Sequence, residues 1–509
     1  MRARPAALVL ALAGPAMAGE PTHHPAFVDR SADLPVAHVY GGGWEHFVGG
    51  GVAVFDCNAD GLADAYVAGG ENPARLLVNA TEGPGAPIRF VPGDGAPDLT
   101  GVAGAYPLDI DGDGHMDLVV LRVGPNVLLR GGPGCTFTDA SDAWSFSAGD
   151  HWSTSFSATW EDGAAWPTLA IGNYVDRADP DGPFEACDTN ELHRPASRRF
   201  APPIVLEPGF CALSMLISDE RRLGERYLRI SNDRHYYVRG GAEQKLDLGT
   251  LTFLDEDDGW PEVSLWGMGI AARDITGDGR AEVMSTSMGD QLLQIATRDG
   301  YRAAPFSKGT YAQRPFIGDD GRPSTGWHAQ FGDVDNDGRD DLFIAKGNVD
   351  QMPSNAIHDP NNLLMQQADG TFVETAHLAG VATTERARGA ALADLNADGK
   401  LDLIVVNRRA PLEVYQNATP VTGNWMTVAV RQEGSNINAV GAFIESRTKD
   451  RLATREITVG GGHAGGTALP EHFGLGDAET AQVRVIWPDG AISPWQTLAA
   501  NRAWVIERD

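Results

Sequence analysis

Short apolar runs bounded by turn residues recur along most of the chain in a fixed order. A Gly/Ala-rich run comes first, as in GGGVAVFD, VAGAYPLD, MGIAARD and ARGAALAD, and leads into an acidic loop. A β-branched run such as LVVL, LFIA or LIVV follows, then a third run such as NVLLR, QLLQIA, NLLMQQ or LEVYQN, and often a fourth, as in DGTFVETAHLAG. Runs of this length and composition between turn-forming clusters read as strands. Four short strands per repeat predict one propeller blade, with small residues suiting the crowded inner strand. Aligned on the loop glycine, the repeats start at residues 56, 109, 158, 219, 274, 333 and 394, so seven blades are predicted. A closed ring leaves little exposed edge. The last repeat stops after LEVYQNA, and the early piece AFVDRS resembles TFVETA, so Ala26 to Ser31 is expected to close the seventh blade.

Five loops share one nine-residue pattern: DCNADGLAD from Asp56, DIDGDGHMD from Asp109, DITGDGRAE from Asp274, DVDNDGRDD from Asp333 and DLNADGKLD from Asp394. Oxygen ligands at positions 1, 3 and 5, a turn glycine at 6, a main-chain carbonyl at 7 and a carboxylate at 9 make a hard-cation cage suited to calcium. The expected sets are Asp56, Asn58, Asp60, Leu62 and Asp64; Asp109, Asp111, Asp113, His115 and Asp117; Asp274, Thr276, Asp278, Arg280 and Glu282; Asp333, Asp335, Asp337, Arg339 and Asp341; and Asp394, Asn396, Asp398, Lys400 and Asp402. An EF-hand would need a bidentate Glu at position 12 and flanking helices, whereas position 12 here is Val67, Val120, Ser285, Ile344 or Val405, inside strand patterns. About five calcium ions are expected, mainly as staples of the hairpin between the first two strands of a blade. The loops at Ala158 and Asp219 lack most ligands and are expected to hold no metal.

From about residue 420 the pattern changes to NWMTVAVRQ, NINAVGAFIE, REITVGGGHAGG, EHFGLG and VRVIWPDG. Together the two parts resemble the FG-GAP/VCBS propeller repeat, also found in integrin α heads, followed by an ASPIC/UnbV domain. The whole resembles a bacterial member of the cartilage acidic protein family. The resemblance and the repeats give an all-β expectation: a signal peptide at 1–18, a seven-bladed propeller at 19–418 and a small β-sandwich-like domain at 419–509. It implies a secreted calcium-binding protein used for adhesion or recognition, and does not imply an enzyme. GGGHAGG, with His463, reads as a turn between strands, because no helix pattern follows to make a phosphate cradle.

Charge and export fit that picture. The formal net charge of −29 includes 17 carboxylates at ligand positions of the five loops, and so acidic a surface argues against nucleic acid as a partner. Arg2 and Arg4, the apolar stretch Pro5 to Gly14 and Ala16-Met17-Ala18 read as a cleaved signal with the mature chain starting at Gly19. No later stretch is apolar enough for a membrane span, so a periplasmic or secreted location is expected. Four cysteines in an exported chain predict disulfides, and of three pairings Cys187 with Cys211 and Cys57 with Cys135 is favoured. Asn79-Ala80-Thr81 and Asn417-Ala418-Thr419 are glycosylation sequons only in a eukaryotic host.

Two function classes remain. One is a recognition or adhesion protein for an extracellular or periplasmic protein or glycan, using the long insertion from about Asp176 to Phe210, the polar run Ser231 to Tyr237, or the channel mouth. There Trp44, His46, His151, Trp152, Trp266, Trp327, His328, Arg386 and Arg388 precede the inner strands, and each reads either as blade packing or as part of a ligand pocket. The alternative is a propeller enzyme of lyase or dehydratase type acting on a carbohydrate or phosphorylated substrate, with His46, His151, His328 and Arg388 as base, metal ligands and anion clamp. No hydrolase, P-loop or dinucleotide motif is present, and the saturated calcium cages favour binding.

Overall fold

Each acidic loop is the turn of a hairpin, because its glycine supplies the left-handed backbone the tight turn needs, as at Gly61, Gly338 and Gly399. The computed structural model describes residues 24–233, 241–298, 300–311, 322–350, 352–420, 422–449 and 451–508. The expected signal segment and residues 234–237 of the polar run lie outside them.

Among the described residues, seven antiparallel four-stranded units follow one another. Their inner strands are Val52–Phe55, Val102–Leu108, Ser153–Thr159, Ala212–Ser218, Gly267–Arg273, Gly326–Gly332 and Ala387–Ala393. These neighbour one another in chain order, and the last neighbours the first, which closes a propeller ring. Phe27–Asp29 is the outer strand of the seventh unit, with Phe27 opposite Asn417 and Asp29 opposite Tyr415, so the two ends of the ring are locked in one sheet. The apolar core lies between units: Phe55, Val67, Ile404 and Val414 meet across the closure, and Phe343, Leu363, Leu403 and Tyr415 across the joint before it.

The third unit corrects one expectation. Part of the segment read as an irregular insertion supplies that blade's third and fourth strands, Asn190–His193 and Ile204–Leu206. Both are short, and the third is polar (NELH), so only the three-residue run IVL of the fourth marks them. The remaining loop is tied down by the Cys187–Cys211 disulfide, and Cys57–Cys135 ties the first acidic loop to the last hairpin of the second unit.

The C-terminal part folds as two sheets around Val428, Ile444, Phe473, Val483 and Val485. One sheet holds Asn424–Arg431 between Glu471–Gly476 and Arg502–Glu507, and the other runs Leu452–Glu456, Phe443–Arg447, Thr480–Ile486 and Gln496–Ala499. This sandwich sits on the acidic-loop face of the ring. Arg455 pairs with buried Asp340 at 2.9 Å, Arg222 with Glu445 at 2.6 Å, and His472 reaches the Gly399 carbonyl.

GGGHAGG lies between strands, as expected, but those strands belong to the ring. Val459–Gly460 joins the inner strands of the third and fourth units, making one nine-stranded sheet, and Thr467–Ala468 pairs in parallel with Val52–Phe55. Between them residues 460–466 run into the channel. Gly461 N–H donates to Met215 O (2.6 Å), Gly462 N–H to Ile270 O (2.7 Å), Ala105 N–H to Ala464 O (3.1 Å) and Val54 N–H to Gly466 O (3.1 Å).

Candidate metal centres and the closed channel

The five patterned loops share one hydrogen-bond scaffold. The carboxylate at position 1 accepts from the glycine N–H at position 6 in all five: Asp56 from Gly61, Asp109 from Gly114, Asp274 from Gly279, Asp333 from Gly338 and Asp394 from Gly399, at 2.7–2.9 Å. The carboxylate at position 5 accepts from the N–H at position 7, that is Asp60 from Leu62, Asp113 from His115, Asp278 from Arg280, Asp337 from Arg339 and Asp398 from Lys400. Position 3 is less regular: Asn58 donates to Asp60, Thr276 to Glu282, Asp111 accepts from Arg130 at 2.7 Å, Asp335 accepts from Asp337 N–H, and Asn396 is buried.

The carboxylate at position 9 is buried in every loop and stitches the turn to the blade. In Asp64, Asp117, Asp341 and Asp402 one oxygen accepts from the N–H at position 2 and the other from a third-strand N–H, of Asn79, Gly131, Gln366 and Asn417 respectively. Glu282 accepts from Ile275 N–H in the same way.

One ligand atom from each of Asp109, Asp111 and Asp117, and likewise from Asp333, Asp335 and Asp341, lies within 4.8 Å of the others. Burial, with the neighbouring carboxylates, pushes Asp109 and Asp394 up to about 6, Glu282 to about 7 and Asp117 to about 8, and holds Asp341 and Asp402 well above the usual carboxylate range. Oxygen-only donors, gathered and desolvated at a repulsive cost, fit a hard divalent cation. Cys57, Asp64 and Cys135 also lie together, but both sulfurs are in the disulfide.

The two degenerate loops each hold a protein cation. In the third unit Glu161 takes Arg194 through both oxygens (2.7 and 2.9 Å). In the fourth, buried Glu220 takes Lys245 at 2.6 Å and Arg229 beside it. Sequence reading found the missing ligands and overlooked these pairs; an acid inside the loop with a base on a later strand was the available sign.

The sequons are also structural. Asn79 and Asn417 are buried; each side chain accepts from its Thr at +2 and donates to the position-2 carbonyl of the preceding unit's loop, Leu395 and Val334. Gln366 does the same to Ile275. These amides bolt neighbouring acidic loops together.

The channel-mouth residues do not converge on an open pocket. His463 fills the channel: its N–H donates to His328 Nδ1 (3.1 Å), its ring contacts Met268 O and accepts from Gly49 N–H, and it packs edge-on against Trp327 at 5.0 Å. Arg388 is wholly buried, 4.0 Å over Trp327, and donates to Phe47 O and Asn348 O. The short helical turn Trp44–His46 and Phe47 close the other mouth: Phe47 packs on Trp152, and His46 O accepts from Arg408. Trp266 packs at the edge of the same cluster. His151 lies on the third unit, held 2.7 Å from Asp188, whose carboxylate raises it. Arg386 stands 3.8 Å from Asp350 at the rim, beside Arg408 and Arg409, which share that carboxylate.

Residues 56–120 and 333–405 match the FG-GAP-like repeat family, and residues 432–509 match ASPIC and UnbV. The chain thus carries FG-GAP-like repeats and an ASPIC and UnbV domain. It is 26% identical over 252 residues to Cartilage acidic protein 1 of Xenopus tropicalis, covering 48% of this chain and 37% of the frog protein. The human protein of that name gives 26% over 251 residues, 48% of this chain and 36% of its own length. The match thus spans little more than a third of those relatives. Solved structures similar to this FG-GAP-like repeat chain include BBS1N in complex with ARL6DN (8% identity, TM-score 0.46, 79% of this chain and 99% of the other). The extracellular domain of a hybrid two-component system of B. thetaiotaomicron is another (8%, TM-score 0.43, 96% and 60%). At such scores these likenesses add nothing to the fold read from the strand pairing. Among the described residues no helix is long and apolar enough to cross a membrane.

Burial holds His463 down at about 3 and His328 at about 4. Both folded values lie below the unfolded value near 6.5, so the neutral rings contribute stability above that pH, which is lost as pH falls through the folded values. Acidification from about pH 6.5 to pH 4 is therefore expected to loosen residues 460–466, with a cost on the order of 2 kcal/mol because local opening lets water reach the rings. Hydrogen exchange of that loop and the fluorescence of Trp327 would report it. His463→Gln should leave only the smaller His328 contribution.

Proposed function

We propose that the chain is an exported recognition protein whose ring is braced by calcium at the five patterned loops, and that it binds a protein or glycan partner through the face remote from the C-terminal sandwich. The difference between the two ring faces carries this reading. The sandwich covers the acidic-loop face, whereas the other exposes Trp44 (47%) and, on the disulfide-tied loop, Phe184 (64%), around the charged rim of Arg177, Asp350, Arg386 and Arg409. Exposed aromatics among fixed charges are what recognition surfaces use. Two disulfides fit an oxidising compartment. The lyase or dehydratase alternative draws less support, since His328 and Arg388 are engaged in closing the channel. A glycan array probed with the mature chain in calcium should give a saturable ligand, weakened at least about tenfold by Trp44→Ala. Binding untouched by Trp44→Ala and by Phe184→Ser would overturn the assignment to this face, and chemical turnover of a bound ligand would favour the enzyme.

A further inference from the structure

Between the ring and the sandwich lies a cavity of about 240 Å³, bordered by the channel segment at Gly460–Gly462 and by the acidic loops at Asp109 and Asp274. One wall is apolar, with Leu216, Ile270 and Phe331 among its residues; the other carries Arg273, Thr454 and Arg455. Arg273 Nε, Arg455 Nε and Thr454 Oγ1 are buried without a hydrogen-bond partner, and Thr454 and Arg455 are each only 4% exposed. Arg455 uses Nη2 on Asp340 and Nη1 on Thr454 O, and Arg273 uses Nη1 on Glu471, so both guanidiniums are oriented while the Nε–H of each stays unpaired. Buried donors normally find an acceptor. An apolar cavity of about 150 Å³ holds benzene, so this one accommodates a ring or short chain with a polar head and some water.

We infer that this cavity is a binding site for a small organic carboxylic acid, its apolar part against Leu216, Ile270 and Phe331 and its carboxylate accepting from Arg273, Arg455 and Thr454. Guanidinium donors recognise carboxylates by charge and planar geometry together. Six carboxylates also line the cavity: Glu220 is paired with Arg229 and Lys245 and Glu471 with Arg273, Asp109, Asp219 and Asp274 accept from the N–H groups of their own loops, and burial pushes Glu456 up to about 8, so that it does not repel such a ligand at neutral pH. The site is independent of the recognition face and stands or falls separately.

Calorimetric titration of the full chain with benzoate, phenylacetate and hexanoate is the test, with benzyl alcohol as the neutral control. Saturable one-to-one binding of at least one acid is expected, weakened about tenfold or more in Arg273→Met/Glu471→Gln, which removes both charges of the pair and leaves no lone ion. Thr454→Val, a milder change, should weaken binding without altering the melting profile. Absence of saturation for all three acids at about 10 mM would overturn the inference, as would benzyl alcohol binding as tightly as the acids, or both variants binding as the parent does.

Discussion

Gly104→Ala, or Gly51→Ala, is expected to unseat the C-terminal loop from the channel and to cost about 3 kcal/mol or more. A Cβ on Gly104 would stand 1.8 Å from the Ala464 carbonyl oxygen, and one on Gly51 1.7 Å from it. Neither glycine has left-handed backbone, so alanine is acceptable there on conformational grounds and the effect is purely steric. The obstacle is main chain on both sides: the inner strand is pinned by the ladder of its blade, and Ala464 O accepts from Ala105 N–H. Rotamer changes cannot relieve such a contact, so one backbone must move and the hydrogen bonds of the loop break with it. Melting temperature together with protease susceptibility between residues 458 and 470 would measure the outcome. A stability within about 0.5 kcal/mol of the parent would show that the loop tolerates displacement and does not lock the two parts.

That steric relation also shows how far the sequence carries. Seven repeats, the hairpin position of every acidic loop and the N-terminal closing strand follow from local patterns, because strand runs, turn glycines and loop ligands leave marks within a few residues; the disulfide pairing was favoured among three only once the blade placed the cysteines, which stand 78 and 24 residues apart. The small residues of the inner strands were legible too, but only as crowding; that Gly51 and Gly104 make room for Ala464 is a contact between segments hundreds of residues apart, and no periodicity encodes it. The turn that holds His463 was legible, but its seat in the channel was not, for the same reason, since its partners Gly49, Met268 and His328 come from three blades. Asn79 and Asn417 show a different failure: the Asn-x-Thr signature was present, while the buried bolt it builds depends on the preceding blade's loop. The paired acids and bases of the degenerate blades, Glu161 with Arg194 and Glu220 with Lys245, carry no local mark, because each pair spans 33 or 25 residues.

Removal of divalent cations is expected to have the largest effect of all. If calcium occupies the five patterned loops, each site held at a hundredfold excess over its Kd adds about 2.7 kcal/mol, so five together are worth on the order of 10 kcal/mol. The geometry says why the loss should be cooperative across the ring. Asp341 and Asp402 are buried and desolvated beside other carboxylates, and without a cation that repulsion acts on the very groups that stitch the loop to the third strand through Gln366 and Asn417 N–H. The same two side chains reach across to Ile275 O and Val334 O of the preceding loops, so strain in one unit is passed to its neighbour. The third and fourth units, held by Arg194, Arg229 and Lys245, should be spared. Calorimetric unfolding with excess calcium and with chelator, combined with metal analysis of the purified chain, would check this: about five calcium ions and a large chelator-induced drop in melting temperature are expected. Asp333→Asn with Asp341→Asn should remove one ion and a comparable fraction of the difference, while Glu161→Gln should leave the calcium count unchanged. A chain that melts identically in calcium and chelator would show that the loops hold themselves together by main-chain hydrogen bonds alone, and the cation-braced ring would be wrong.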